Sequence, residues 1–245
     1  MNSSFFSKNL IKLNEIDSTN KFLLDLNKKR QFTNSVVVTA DYQTKGKGRR
    51  ANSWESEKGK NLLISILFKH NLKIENQFLF SAAISLSIQK LISQFTNEEV
   101  YIKWPNDIMI NNKKIAGFII DNLLQKNTIH TTIVGIGINV NQLNFKKYNP
   151  EATSISLINN SVIDLDYLKN ELINILDENY NNMDDGFVKK YNKLLFMKNS
   201  YVNFKIKEKI IKAKIHSVDK MGALLLEKKN KGLERFEVNQ VCYLL

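Results

Sequence analysis

Residues 36–54 read "VVVTADYQTKGKGRRANSW", a β-branched apolar run that passes into two glycines alternating with cations. Val36, Val37, Val38 and Thr39 are side chains of a buried strand. Gly46 and Gly48 let backbone come close to a ligand, while Lys45, Lys47, Arg49 and Arg50 supply donors to an anion. The spacing of Gly46, Gly48 and Ala51 formally meets the G-x-G-x-x-A dinucleotide fingerprint. However, "NSWESEKGKN" (52–61) lacks a helical apolar face, and no acidic residue stands at the required distance in the next strand. A P-loop fails because no Gly-Lys-Ser/Thr closes the pattern. A phosphate or carboxylate clamp on the loop after a strand is left, beside the plainer possibility of a basic solvent loop.

Outward from this loop, strands and helices mix. "STNKFLLDLNKK" (18–29) predicts a helix capped by Ser18, with Phe22, Leu23 and Leu26 on one face. "NLLISILF" (61–68) reads as a second strand and "NQFLFSAAISLSIQKLISQF" (76–95) as a buried helix. "VYIKW" (100–104) is a strand that stops at Pro105, and "DIMINNKKIAGFII" (107–120) a hairpin turning at Asn111 and Asn112. "HTTIVGIGINVN" (130–141) is a further strand. Two amphipathic helices follow in "DLDYLKNELINILDENYNNM" (164–183) and "FVKKYNKLLFM" (187–197). From about Ser200 the pattern switches to short strands, "YVNFKI" (201–206), "IIKAKIHSV" (210–218), "GALLLE" (222–227) and "RFEV" (235–238). That switch predicts a boundary between a domain of residues 1–198 and a small one of residues 199–245.

The 245 residues are 43% hydrophobic and 24% charged with 2 prolines, the composition of a globular chain with a real core. A single cysteine, Cys242, excludes an internal disulfide framework and a four-thiolate zinc site, and fits a reducing cytoplasm. His70, His130 and His216 have no metal-ligand spacing, so the sequence names no metal ligands. "MNSSFFSKNLIKLNEI" (1–16) lacks the apolar core of a signal peptide and "LLISILF" (62–68) is too short to span a bilayer, so the expectation is a cytoplasmic protein without a membrane partner. A net charge of +12 raises nucleic acid as a partner. Yet the lysines are dispersed through stretches such as "NFKKYN" (144–149) and "KIKEKIIKAKI" (205–215), the pattern of a solvated basic surface.

Three more stretches carry chemistry. "KWPND" (103–107) packs a cation, an aromatic platform, a rigid proline, an amide and a carboxylate at a strand end; a strand-terminating turn explains it equally well. "KKIAGFIID" (113–121) sets Lys114 directly before a buried strand that contains Gly117. "GIGINVN" (135–141) sets Asn139 after two glycines, where an amide can bridge phosphate oxygens or a metal-bound water. Either stretch alone reads most simply as a core strand with exposed ends.

In order, "DSTN" (17–20), "QTKGKGRR" (43–50), "KWPND" (103–107), "KIAG" (114–117) and "GIGIN" (135–139) resemble the motifs of biotin protein ligases, and "MGALLLE" (221–227) is similar to their C-terminal barrel. The resemblance implies an α/β (α+β) fold: a mixed-sheet catalytic domain like that of lipoate ligases and class II synthetases, followed by a small SH3-like barrel. It implies an enzyme that uses Mg·ATP to adenylate biotin and then acylates a lysine of a biotin carboxyl carrier protein or domain. Carried over by position, Ser18, Thr19, Asn20 and Gln43 would bind biotin with Gly46, Lys47, Arg49, Lys114 and Gly117. Lys47, Arg49, Arg50, Trp54, Asn106, Lys114 and Asn139 would bind ATP, Trp54 by stacking on adenine. Lys114 and Arg49 would be catalytic, with Asp107 orienting or helping to deprotonate the acceptor amine. Lys47 stands where the family usually has arginine. With "DSTN" beginning at residue 17 the expectation is no winged-helix domain and no sequence-specific DNA binding, in a monomer or homodimer. The alternatives are a lipoate-type acyl ligase on the same scaffold and a nucleic-acid-binding module.

Overall fold

The computed structural model describes residues 9–229 and 232–245, with the backbone alone of Ala51. The sequence reading of residues 1–8 lies outside the described residues. The chain opens with β1 (Leu10–Ile16), α1 (Thr19–Arg30), β2 (Val36–Gln43) and β3 (Leu62–Lys73), then α2 (Gln77–Ser93). Next come β4 (Val100–Lys103), β5 (Asp107–Ile110), β6 (Lys113–Gln125) and β7 (Thr128–Ile138). These seven strands form one sheet in the order β1-β2-β3-β7-β6-β5-β4, with β1 and β2 parallel across α1 and every other pair antiparallel. Helices α3 (Ile155–Asn159), α4 (Leu165–Asn181) and α5 (Gly186–Lys193) follow.

Alternate residues of a strand point to opposite faces, and here both faces are covered. On β2, Val36 and Val38 pack with Leu23 of α1, Leu67 and Ile133, whereas Val37 joins the large core under α2 and α4. This two-sided burial is why β2 and β3 read as continuous apolar runs. The hairpin between β5 and β6 turns at Asn111 and Asn112, with φ of 48° and 60°, as the sequence predicts.

A second sheet is built from β8 (Tyr201–Ile206), β9 (Lys209–Val218), β10 (Leu224–Lys228), β11 (Gly232–Phe236) and β12 (Val241–Leu244), antiparallel throughout in the order β11-β10-β9-β8-β12, consistent with an SH3-like unit. Its buried face, including Val202, Phe204 and Ile215, is continuous with the core of the first sheet. The Trp104 indole N–H donates to the Gly222 carbonyl at 2.9 Å, and Trp104 is 1% exposed. The aromatic of "KWPND" is therefore a core pin between the two sheets and not the ligand platform that its composition suggests.

Candidate active site

The site lies on the α1 face of the large sheet, where glycines and a serine interrupt the bulky side chains. Leu63, Gly137, Gly117 and Asp107 are paired across β3, β7, β6 and β5, and Ser65, Gly135 and Ile119 form the adjacent row. Small residues at facing positions leave a depression that any side chain would fill. A methyl group at Gly135 would stand 2.6 Å from Asn20 Oδ1, and one at Gly137 2.4 Å from the Trp54 indole. Ser18, Thr19, Asn20, Gln43, Lys47, Arg49, Trp54, Lys114 and Gly117 line this first depression, together with Asn106 and the floor residues.

Its polar end is the start of α1. Ser18 caps the helix, its Oγ accepting from the Lys21 N–H, and leaves its own hydroxyl proton to give. The Thr19 N–H and Oγ1 donate to Gln43 Oε1 at 2.8 and 3.0 Å, and Thr19 Oγ1 also lies 2.7 Å from Ser65 Oγ. Gln43 is thereby held by its oxygen, and its amide nitrogen is the end with donors to spare. Asn20 Nδ2 donates to Asp121 Oδ2 at 2.7 Å. Its Oδ1 is buried without a hydrogen-bond partner among the described residues, a cost of about 1–3 kcal/mol unless a ligand donates to it.

Lys114 occupies the centre. The pairing of β5 with β6 shifts register between Ile108 and Met109, leaving Ile115 as an extra residue on β6. This bulge breaks the alternation and turns Lys114 onto the same side as Gly117. A Cβ at Gly117 would sit 3.1 Å from both Lys114 Cε and Nζ, so the glycine makes room for the folded lysine. Lys114 Nζ lies 2.6 Å from Asp107 Oδ1, while Lys103 Nζ lies 3.1 Å from Asp107 Oδ2 and 5.0 Å above the Tyr243 ring. Burial pushes the Asp107 carboxyl up, but the ammonium of Lys114, and then that of Lys103, outweigh it. The group is held below its ordinary value. A carboxylate kept ionised by two cations is a poor base, which favours the orienting role over deprotonation.

A second depression adjoins the first. It is lined by Trp54, Glu55, Lys103, Asp107, Lys114, Asn139, Tyr148 and, from β12, Tyr243. Lys114 and Trp54 belong to both depressions, Lys114 Nζ standing 5.5 Å from the Trp54 ring centroid, so this pair marks their junction. Asn139 Nδ2 is engaged by the Thr153 carbonyl at 3.0 Å.

The loop between β2 and β3 closes on itself. Gly48 N–H donates to Asn52 O at 2.7 Å, Trp54 N–H donates to Gly46 O at 2.9 Å, and Lys47 bridges Ser53. Burial lowers the Arg49 pKa, with the Arg50 charge adding to it and Asp107 opposing; a guanidinium remains charged even so.

Three expected ligands are placed otherwise. Gly46 lines neither depression, since a Cβ there would stand 2.4 Å from the Trp54 carbonyl oxygen, and its smallness serves the loop closure. Asn106 lines the first depression and not the second, because its Nδ2 is folded back onto the Phe118 carbonyl at 2.7 Å. Arg50 reaches neither; its Nη2 donates to the Val238 carbonyl in the turn before β12. The sequence reading gave no site role to Ser65, Gly135 and Gly137 of the floor or to Tyr243 of the second depression, and named Lys103 only as the cation of "KWPND". Glycines two apart on one strand share a face, and that spacing was the available signal for Gly135 and Gly137. Among the described residues no three His, Cys, Asp or Glu side chains gather to hold a metal ion, and both Asp107 oxygens are taken by ammonium groups.

Residues 13–139 match the model of the biotin/lipoate A/B protein ligase family. The chain is 30% identical over 142 residues to the bifunctional ligase/repressor BirA of Bacillus spizizenii, covering 58% of this chain and 43% of that protein. It is 27% identical over 219 residues to BirA of Escherichia coli, covering 86% and 67%. The chain thus spans less than half the length of the Bacillus relative. Its structure resembles biotin protein ligase from Aquifex aeolicus in complex with biotin and ATP, with a TM-score of 0.79 and 26% identity, covering 97% of this chain and 99% of that one.

Proposed function

Since the chain belongs to the biotin/lipoate A/B protein ligase family, we propose that it is a biotin protein ligase that makes biotinyl-5'-AMP from biotin and ATP and transfers the biotinyl group to a carrier lysine. The observation that carries this reading is the junction at Lys114, where a depression ringed by hydrogen-bonding groups meets a second one bounded by an aromatic ring. The Ser18 hydroxyl, the Gln43 amide and the unpartnered Asn20 Oδ1 suit a urea-like ring, which offers one carbonyl acceptor and two N–H donors. A dithiolane ring offers neither, so lipoate leaves these groups unsatisfied. A basic loop folded into a pocket, with the other lysines dispersed, also speaks against a nucleic-acid-binding module or sequence-specific DNA readout.

In the first step a biotin carboxylate oxygen attacks the α-phosphorus of ATP and pyrophosphate leaves. Two anions must approach, and charge grows on the pentavalent phosphorus. Lys114, fixed from behind by Asp107, meets that charge, with Arg49 and Lys47 on the same rim. Trp54 stacks on adenine in the second depression, and Asn139 faces the phosphates. In the second step a neutral lysine amine of a biotin carboxyl carrier protein or domain attacks the acyl carbon, AMP leaves and the amine sheds a proton. Mg²⁺ would enter as part of Mg·ATP, since among the described residues no cluster of His, Cys, Asp or Glu forms a cage for it. Residues 1–198 form the catalytic part and residues 199–245 the barrel, which also walls the nucleotide side through Tyr243.

Mass spectrometry of the native protein given biotin, lipoate or RNA with Mg·ATP distinguishes the three readings; a retained biotinyl-AMP mass is the expected result. Lys114→Ala should lower biotin-dependent pyrophosphate exchange about a hundredfold, the scale of losing one transition-state donor, with a smaller loss of biotin binding. Near-normal exchange in that variant would remove Lys114 from the chemistry.

A further inference from the structure

Arg50 is a cation of the glycine-rich loop that the reaction above leaves unused. It has φ 54° and ψ 44°, the left-handed region that non-glycine residues seldom occupy. Such a backbone persists only where its surroundings hold it. This conformation aims the side chain away from both depressions and toward the second sheet. There Nη2 donates to the Val238 carbonyl and stands 3.5 Å from Asn239 Oδ1, across 188 positions of sequence. Val238 and Asn239 lie in the tight turn between β11 and β12, closed by Gln240 N–H to Glu237 O at 2.9 Å. Backbone bonds from Gly48 to Asn52 and from Trp54 to Gly46, with the Lys47–Ser53 bridge, tie residues 46–54 together, so a grip on Arg50 is a grip on the segment that carries Lys47, Arg49 and Trp54.

We infer that Arg50 is a positioning residue: a latch by which the C-terminal sheet holds the glycine-rich loop down over the junction of the two depressions. The sheet has a fixed seat from which to pull, because the Trp104 indole is bonded to Gly222 on the far side of the same groove, which Arg49, Phe78, Met221 and Val238 also line. The latch follows from geometry alone; its duty toward a reaction intermediate rests on the function proposed above. Closure of this loop excludes water from the acyl phosphate and slows its escape.

The test uses the full chain and Arg50→Asn, because asparagine tolerates a left-handed backbone but is too short to reach Val238. Arg50→Lys restores one donor. In the ligand-free protein, hydrogen exchange at the amides of Gly48, Asn52 and Trp54 should speed up on the order of tenfold in Arg50→Asn, the worth of one charge-assisted hydrogen bond near solvent. The Gln240 amide should follow, and Arg50→Lys should fall between. Biotinyl-AMP release should accelerate by a similar factor, with the loss in turnover falling on KM for biotin more than on kcat. Unchanged exchange in both segments overturns the latch. Parent-like exchange with a collapse of kcat also overturns it, since Arg50 would then touch the substrate. If the parent makes no biotinyl-AMP but exchange responds as described, the latch stands and the proposed function falls.

Discussion

Replacing Asp107 by asparagine keeps the shape and removes the charge on which two lysines converge. The carboxylate oxygens lie 2.6 Å from Lys114 Nζ and 3.1 Å from Lys103 Nζ, with side-chain exposures of 13% for the aspartate, 29% for Lys114 and 11% for Lys103. At an effective dielectric of about 20 each contact is worth roughly 5–6 kcal/mol before desolvation, which takes back most of it. What the variant meets is the penalty of two ammonium groups left together in a closed site. Removing one partner from a buried pair costs about 3–5 kcal/mol, and an asparagine oxygen that still accepts one hydrogen bond brings this to about 3 kcal/mol. Urea unfolding at neutral pH measures it. The folded carboxyl lies below its ordinary value of 3.8, so its stabilisation is complete above about pH 4 and is lost as the pH falls through the folded value. The variant should lack that acid-side loss. Lys114 loses its support as well, so pyrophosphate exchange and single-turnover transfer should slow together. A stability change below about 1 kcal/mol, or slow transfer with normal adenylation, would refute this reasoning and make Asp107 the base for the incoming amine.

Lys47→Arg should slow biotinyl-AMP release about fivefold, since a planar fork replaces a point charge at a rim position, a gain of ~1 kcal/mol; stopped-flow dissociation as fast as in the parent would show that Lys47 faces solvent. Gly137→Ala puts a methyl group within 2.4 Å of the Trp54 indole, and the ring must leave the floor. Red-shifted tryptophan emission and about tenfold weaker ATP binding are expected, on the scale of a lost stacking contact, and unchanged emission would contradict that packing. Burial, reinforced by His130, lowers the His70 pKa from 6.5 to about 4. Below pH 6.5 the unfolded chain takes up a proton that the folded one refuses, so stability falls between pH 6.5 and 4, by at most about 3 kcal/mol and by roughly half that after screening at a partly exposed site. His70→Phe should flatten this slope in urea unfolding, and a parent curve already flat there would disprove it.

What the sequence disclosed was local. The Asn111–Asn112 turn, the Ser18 cap and the apolar runs of β2 and β3 each reside in a few neighbouring residues. β1 escaped notice because "LIKLNEI" is half exposed along its length and is ordered by pairing with β2. β12 escaped because four residues become a strand only against β8, far earlier in the chain. At the site, "KIAG" pointed to Lys114 and Gly117, but not to the bulge at Ile115 that puts them on one side. "KWPND" concealed opposite fates, Trp104 turning into the core while Lys103 and Asp107 line the second depression. Composition did not separate these, because a buried tryptophan and a stacking tryptophan are the same residue until the Gly222 carbonyl arrives to accept its hydrogen bond.

The pin between Trp104 and Gly222, with Tyr243 lying over Lys103, also imposes a schedule on biosynthesis. Lys103, Asp107 and Lys114 leave the ribosome well before the strand that carries Tyr243. Synthesis runs from the N-terminus, so these three side chains are made while the strand that walls the second depression is still untranslated. The second depression is complete only once the small sheet has packed onto Trp104 and brought Tyr243 over Lys103.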